Sequence, residues 1–524
     1  MLKVINAMVS RLNAYLYSLY AAYFATEQKV IHRIWKVSSP TFKRVMTEAK
    51  LEATVQAYYT GSRESLAKVY AEIANLLVNA GQQELAVFYF EKSLKCKIDR
   101  CVSSQKLQSL VLSPISNDAR IMKESVKCSK LYYHFNKKYF KKGIHFERKK
   151  PKKLKIAYIC HFFHNSVAQS IIIPFIKAHD RSKVEVYCYF DWDKSSLDDG
   201  VRGIADHWRD TDGMSDDDFV KLVRRDGIHV VIEMNGHTVV NRYQACVDRM
   251  APVQISFYNF AATSGVVGLD YIIVDNKVLK TSEEKYFTEK IYRLPNAYGV
   301  ANFNDSFPEV ASCPYDRNGY ITFGSFGAAH KMNEYTIALW CKVLHLVPRS
   351  RFFMKAGALT HIFYQDAFYQ YFADNGIGRD RLIFEGWSPH HEMLEKYAMV
   401  DIALDSYPYH AGTTTLEAIW QGVPVLSLSG DRLAARTSIS ILTNLGHPEF
   451  VGHSEAEFLS IAKALAENHD RRRSLRQQLR EDFRQSVLYD AALFASDLED
   501  AYYAMWYEWL AADKGKQSTI VQTQ

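Results

Sequence analysis

From Pro151 onward the chain alternates short β-branched runs with amphipathic stretches, and this alternation restricts the fold more than any other feature. The runs KLKIAYIC (153–160), KVEVYCYF (183–190), GIHVVIEMNG (227–236), VQISFYNF (253–260) and LDYIIVD (269–275) read as strands, with helical stretches such as DDDFVKLVRRDG between several of them. A second series begins near Tyr320: YITFGSFG, RSRFFMKAG, DRLIFEG, DIALDSY and VPVLSLSG, alternating with helices expected at 334–347 and 391–399. Strands that alternate with helices pair in parallel, as a doubly wound sheet. Two such series in tandem predict two α/β domains, 154–310 and 311–512, facing a cleft. Ligands of open α/β sheets bind at the carboxyl ends of the strands.

Residues 1–135 read as all-α. YAEIANLLVNAGQQELAVFYFEKSLKCK forms two helices about a Gly-centred turn, with Ala86, Phe90, Ser93 and Leu94 on one stripe. The pattern resembles a single tetratricopeptide-like hairpin, a packing or partner surface rather than a chemical site. The first aromatic stretch, NAYLYSLYAAYFATEQ, is broken by Asn13, Ser18 and several Tyr, and reads as an amphipathic helix rather than a cleaved signal. The formal net charge of +7 is outweighed by one segment: between Lys137 and Lys155 ten Lys/Arg face one Glu, a net +9, which leaves the rest of the chain at about −2. That segment is a solvated basic linker (136–153), with peripheral membrane contact as its sharper reading, and not a nucleic-acid-binding balance. The eight cysteines form no CxxC pair and no zinc spacing with histidine, which fits a reducing, cytoplasmic setting. No apolar run reaches the roughly 18–20 residues of a membrane span. A flexible tail is expected at 513–524.

The loops after the strands carry the chemistry. In DSYPYHAGTTTLEAIWQGVPVLSL (405–428), Gly412 allows close backbone approach at a helix start, and Thr413, Thr414 and Thr415 add hydroxyls. Unpaired N–H groups and the helix dipole make such a start a pocket for phosphate oxygens. A threonine N-cap would need one of the three. Glu417, one turn on, suits ribose hydroxyls. In FGSFGAAHKMNEYT, Lys331 stands past a strand end, where it can neutralise a diphosphate leaving group in place of a metal ion. In FEGWSPHHEMLEKY, Ser388, His390, Met393 and Lys396 offer a polar edge and a soft face for a pyrimidine. In the first domain CHFFHNSVAQS places His161 and His164 past a strand, and EMNGHT places Glu233 and His237 about a glycine.

The stretches DGIHVVIEMNGHT, RMAPVQISFYNFAATSG, LDYIIVD, GWSPHHEMLEKY, DIALDSYPYHAGTTTLEAIWQGVPVL and GDRLAARTSISIL resemble the bacterial O-GlcNAc transferase/SPINDLY family over roughly residues 150–505. The resemblance implies two Rossmann-like domains of GT-B type behind a TPR-like region. It also implies inverting, metal-independent transfer of a sugar from a nucleotide donor, UDP-linked such as UDP-GlcNAc or UDP-glucose, to protein side chains. Ser/Thr hydroxyls are favoured as acceptors, with no further cofactor, and adhesins or flagellins are the acceptor proteins suggested by analogy. It puts Lys331 on the diphosphate, Thr413 and Thr414 on phosphate, Glu417 on ribose, and Ser388, His390 and Lys396 at the base. Glu233 and His237 fall beside the acceptor. The family's first-strand motif is one residue shorter here, so its histidine falls on Asn165 or His164. Its GYPGTSG loop reads NFAATSG, with Thr263, Ser264 and Gly265 on the sugar and acceptor side, and Met393 stands where a base-stacking His can occur. His164, Glu233 or His237 would relay the acceptor proton. A catalytically impaired binding protein, or a transferase acting on glycan or lipid, is the alternative.

Overall fold

The computed structural model describes residues 62–134 and 146–512, apart from 166–167, 198, 239–240 and 304–306. The aromatic stretch 13–28, the basic linker as far as residue 145 and the tail 513–524 lie outside the described residues.

Seven strands form the first sheet: β1 (Leu154–Cys160), β2 (Val184–Phe190), β3 (His207–Asp210), β4 (Val230–Glu233), β5 (Val253–Ser256), β6 (Tyr271–Asp275) and β7 (Lys290–Leu294). Their order is β3-β2-β1-β4-β5-β6-β7, and every neighbouring pair is parallel. Helices on both faces bury such strands completely, which is why β1 hides every residue but Lys155. Ile156 lies opposite Val186 on one side and Val230 on the other. The helix Asp216–Asp226 shows how local sequence sets the elements. Ser215 caps it by accepting the Asp218 N–H, three aspartates occupy its first turn and two arginines its last, and Gly227 closes it at φ 69°.

The second sheet contains β8 (Thr322–Ser325), β9 (Arg351–Lys355), β10 (Leu382–Glu385), β11 (Ile402–Leu404), β12 (Val425–Leu428) and β13 (Val451–Gly452). It is also wholly parallel, in the order β10-β9-β8-β11-β12-β13. Strand order therefore reverses between β1 and β4 in one sheet and between β8 and β11 in the other, the two crevices where ligands of such sheets bind.

The last helix, Ala491–Ala511, follows the second domain in sequence but packs on the first. Tyr502 Oη lies 3.0 Å from Tyr158 Oη, and Glu499 accepts the Asp180 N–H at 2.8 Å and lies 2.9 Å from His179 Nδ1. Its buried side chains Phe494, Leu498, Tyr502 and Trp506 make the first sheet the natural partner of this aromatic segment.

Among the described residues, four helices precede the sheets: α1 (Arg63–Asn79), α2 (Gln83–Cys96), α3 (Arg100–Leu112) and α4 (Asp118–His134). They touch both domains. Tyr371 donates to Ala80 O at 2.9 Å, and Arg432 donates to Ser116 O at 3.0 Å, while Leu107, Leu110, Ile121 and Tyr132 share a core with Ala157 and Tyr189 of the first sheet. The two α/β domains also meet directly through a buried ion pair, Arg436 to Glu283 at 2.5 and 2.8 Å.

Candidate active site

At the crevice of the second sheet, β8 ends in a short turn, Ala329–Lys331, and β11 runs into the loop 405–412 and the helix Thr413–Trp420. Buried Asp405 shapes this loop: one carboxylate oxygen accepts the N–H groups of Ser406 and Ala411 at 2.8 Å, and the other accepts Ser427 Oγ–H at 2.7 Å. His410 is pinned beneath it, with Nε2 donating to Leu428 O at 3.0 Å and Nδ1 accepting from the Ser438 N–H at 3.3 Å. That pairing holds the ring neutral, and burial lowers its basicity further.

Lys331 reaches across this loop. Its Nζ donates to His410 O at 2.8 Å and Ala411 O at 3.3 Å, and sits 4.5 Å from the Tyr409 ring centre. Although the residue as a whole is half-buried, desolvation of the ammonium lowers its pKa to about 8, against the raising pull of Asp405. Gly412 adopts φ 65° and ψ −97°, a backbone state that only glycine takes readily, and nothing stands where its Cβ would be. Among the described residues, the N–H groups of Gly412, Thr413 and Thr414 have no protein acceptor, whereas those of Thr415 and Leu416 bond to Gly412 O. Thr413 and Thr414 are half-buried at the helix start. Thr415 is not part of that start: it is buried, with Oγ1 3.0 Å from Ser438 Oγ, because the third position of the helix turns inward.

One turn on, Glu417 is buried. Its Oε1 lies 2.8 Å from His390 Nε2, and its Oε2 has no partner among the described residues. Burial raises its pKa and the His390 contact opposes that. His390 comes from the helix His390–Glu395 that follows β10, so residues from two different strand-to-helix segments meet. Beside it Ser388 is half-buried, near only Pro389 O at 3.4 Å, and Trp387 is 73% exposed. Lys396 is directed to Glu385 Oε1 at 3.0 Å.

The first domain departs further from expectation. His237 is completely buried, 3.1 Å from Ser104 Oγ of α3 through Nδ1 and 2.7 Å from Ser264 O through Nε2. Both nitrogens are engaged and burial lowers its pKa to about 4, so it is a structural link and not a proton relay. Glu233 is buried at the end of β4, where its oxygens accept the N–H groups of Asn235 and Gly236 at 3.2 and 3.0 Å. Burial raises its pKa to about 8, and its role is to shape its own loop. Thr263, Ser264 and Gly265 do not face an open sugar side. Thr263 Oγ1 donates to Glu289 at 2.6 Å, the Ser264 N–H donates to the same carboxylate at 2.7 Å, and a Cβ on Gly265 would fall 2.4 Å from the Ser125 backbone of α4. The N-terminal helices cover this loop. Asn165 accepts the Ala168 N–H at 2.9 Å, and His164 Nδ1 donates to His161 O at 3.0 Å with its ring stacked on Trp192.

The model of glycosyl transferase family 41 matches residues 99–314 and 311–498, which takes in both sheets and the crevices just described. The chain belongs to glycosyl transferase family 41. Among family 41 relatives, the barley protein named a probable UDP-N-acetylglucosamine–peptide N-acetylglucosaminyltransferase SPINDLY is 29% identical over 358 residues, 67% of this chain and 38% of that protein. A rice protein of the same name is 30% identical over 358 residues, 67% of this chain and 38% of that protein. The chain thus spans about two-fifths of these curated relatives. A mutant of the Thermobaculum terrenum O-GlcNAc transferase has the same architecture, with TM-score 0.79 and 28% identity, covering 88% of this chain and 87% of that one. Of the N-terminal region, α3 and α4 fall within the family 41 match, and α1 and α2 precede it.

Several residues that build this family 41 site gave no sequence signal. Asp405 and His410 lie in the quoted stretch without a local pattern to single them out, because their partners Ser427, Leu428 and Ser438 come from later elements. Asn235, between Glu233 and His237, carries no local signal of its own, yet it holds the ring of His161. The glycine between them, Gly236, sits at φ 64° and marks a tight turn where such a residue can matter.

Proposed function

We propose that this protein transfers a sugar from a UDP-linked donor to side-chain hydroxyls of proteins, with inversion at the anomeric carbon and without a metal ion. The observation that carries this reading is the convergence at the β8/β11 crevice of three unpaired backbone N–H groups, the Lys331 ammonium and a buried, unpartnered carboxylate oxygen on Glu417. Phosphate oxygens fit the amides of Gly412, Thr413 and Thr414, with the hydroxyls of Thr413 and Thr414 beside them. Lys331 exchanges carbonyl partners for the diphosphate and stabilises the charge that gathers there as the glycosidic bond to phosphate breaks. Glu417 Oε2 accepts from a ribose hydroxyl, and the Trp387–His390 loop borders the base. The relatives' names, which specify UDP-N-acetylglucosamine and peptide, support donor and acceptor classes of this kind. Eight free thiols support a reducing compartment, and no described helix is long and apolar enough to cross a membrane.

Lys331→Ala tests the reading. Mass spectrometry of lysate proteins incubated with UDP-sugars should show added sugar with the wild type and none with the variant, whose circular dichroism should be unchanged. Transfer at near wild-type rate by the variant refutes the leaving-group role, and transfer abolished by EDTA refutes metal independence.

A further inference from the structure

His161 is the first residue after β1, and Asn235 the second after β4, so they stand on neighbouring strands where the order of the first sheet reverses. Asn235 is wholly buried. Its Oδ1 accepts the His161 backbone N–H at 3.0 Å and lies 2.9 Å from His161 Nδ1. A backbone N–H can only donate, which fixes the amide orientation: the atom it meets is oxygen. That oxygen can only accept, so Nδ1 carries the ring proton and Nε2 keeps its lone pair. The ring is half-buried, edge-on to Phe162 at 4.7 Å and 6.0 Å from Trp192, which is 40% exposed. The Asn235 amide nitrogen is buried without an acceptor among the described residues.

Resting on the transfer reading above, we propose that His161 removes the proton from the acceptor hydroxyl and that Asn235 is its positioning residue. As the acceptor oxygen bonds to the anomeric carbon, the bond from that carbon to the diphosphate oxygen breaks. The electron pair leaves with the diphosphate, and the acceptor proton passes to His161 Nε2 and then to water. The other candidates are less suited: His237 has no free nitrogen, Glu233 is committed to its own loop, and His164, though its Nδ1 likewise donates, is held only by a backbone carbonyl of its own turn and has its ring stacked with Trp192 at 5.9 Å. The charged and titratable groups facing His161 are His164 and Asp191, the latter held in the Arg242 fork at 2.5 and 2.8 Å. Burial, the largest influence, makes the ring less basic than an ordinary histidine; the Asn235 bond works against it, and so, more weakly, does Asp191, while His164 adds to the lowering.

The test uses the full-length protein and measures UDP affinity by calorimetry and kcat by UDP release across pH. For His161→Gln, UDP affinity should stay within twofold while kcat falls ~10²–10³-fold and the acidic limb of the pH profile disappears. Asn235→Ala should keep KM, lower kcat about tenfold and move that limb, a shift that a purely structural residue would not cause. His161→Asn serves as a second variant if the glutamine protein is poorly folded. A His161→Gln enzyme that binds UDP and keeps kcat within about threefold overturns the assignment, as does a kcat loss confined to His164→Gln. A wild type that does not bind UDP overturns the donor reading instead, and this assignment with it.

Discussion

Lys331 makes the donor site sensitive to pH in a direction and by an amount that can be worked out. Its ammonium titrates at about 8 in the ligand-free protein, chiefly because burial disfavours the charge. At pH 7 about nine-tenths of the molecules carry the charge, and at pH 9 about one-tenth do. If only the charged form grips the diphosphate, apparent affinity scales with that fraction, so the Kd for UDP should rise about tenfold between pH 7 and pH 9. The terminal phosphate of UDP, with a second pKa of about 6, is fully ionised over this range and adds no slope. Above pH 8 binding should also take up close to one proton, visible in calorimetry as a dependence on buffer ionisation enthalpy. The stability linkage has the opposite sense. Between pH 8 and the unfolded lysine value the unfolded chain binds the extra proton, so Lys331's contribution to ligand-free stability increases with pH. A Kd that stays flat from pH 7 to 9, or a slope that persists in Lys331→Ala, would refute the charge-gripping role.

Other substitutions separate recognition from architecture. Glu417→Gln should weaken UDP by about ten- to a hundredfold and leave pyrophosphate binding unchanged in competition calorimetry, since a hydrogen bond to a charged group contributes about 1.5–3 kcal/mol. His237→Ala should lower the thermal midpoint while folded protein still binds UDP, because it strands the Ser264 carbonyl at a cost of about 1–3 kcal/mol and leaves the Ser104 hydroxyl only Tyr132 Oη at 3.5 Å. Arg436→Met leaves Glu283 buried without its partner and should cost about 3–5 kcal/mol in denaturant unfolding, most of it recovered when Glu283→Met is added.

The sheets were legible where strands are buried on both faces. Runs such as YIIVD and VVIE hold no charged residue before their last position. The edge strands of the first sheet give a weaker signal for the converse reason: HWRD of β3 and KIYRL of β7 lie half-exposed and carry the polar residues that edges need. The β8/β11 crevice was readable because helix starts, glycines and a lone lysine act locally. Thr415 was misread because helical rotation, not composition, decides which of three adjacent threonines faces outward. The first-domain loops were misjudged more deeply. Ser104 is 133 residues from His237, and Ser125 is 140 from Gly265, so no local pattern could show that α3 and α4 cover that edge.

That covering has a mechanical consequence. The helices before Pro151 are fastened to the first sheet at His237 and Gly265 and to the second at Ala80 and Ser116, as a brace is fixed to both leaves of a book. Swinging the leaves apart would tear those fastenings and the Arg436–Glu283 pair together. The alignment of the two crevices is therefore tied to the packing of the helices ahead of them, and a change that loosens those helices reaches both sheets at once.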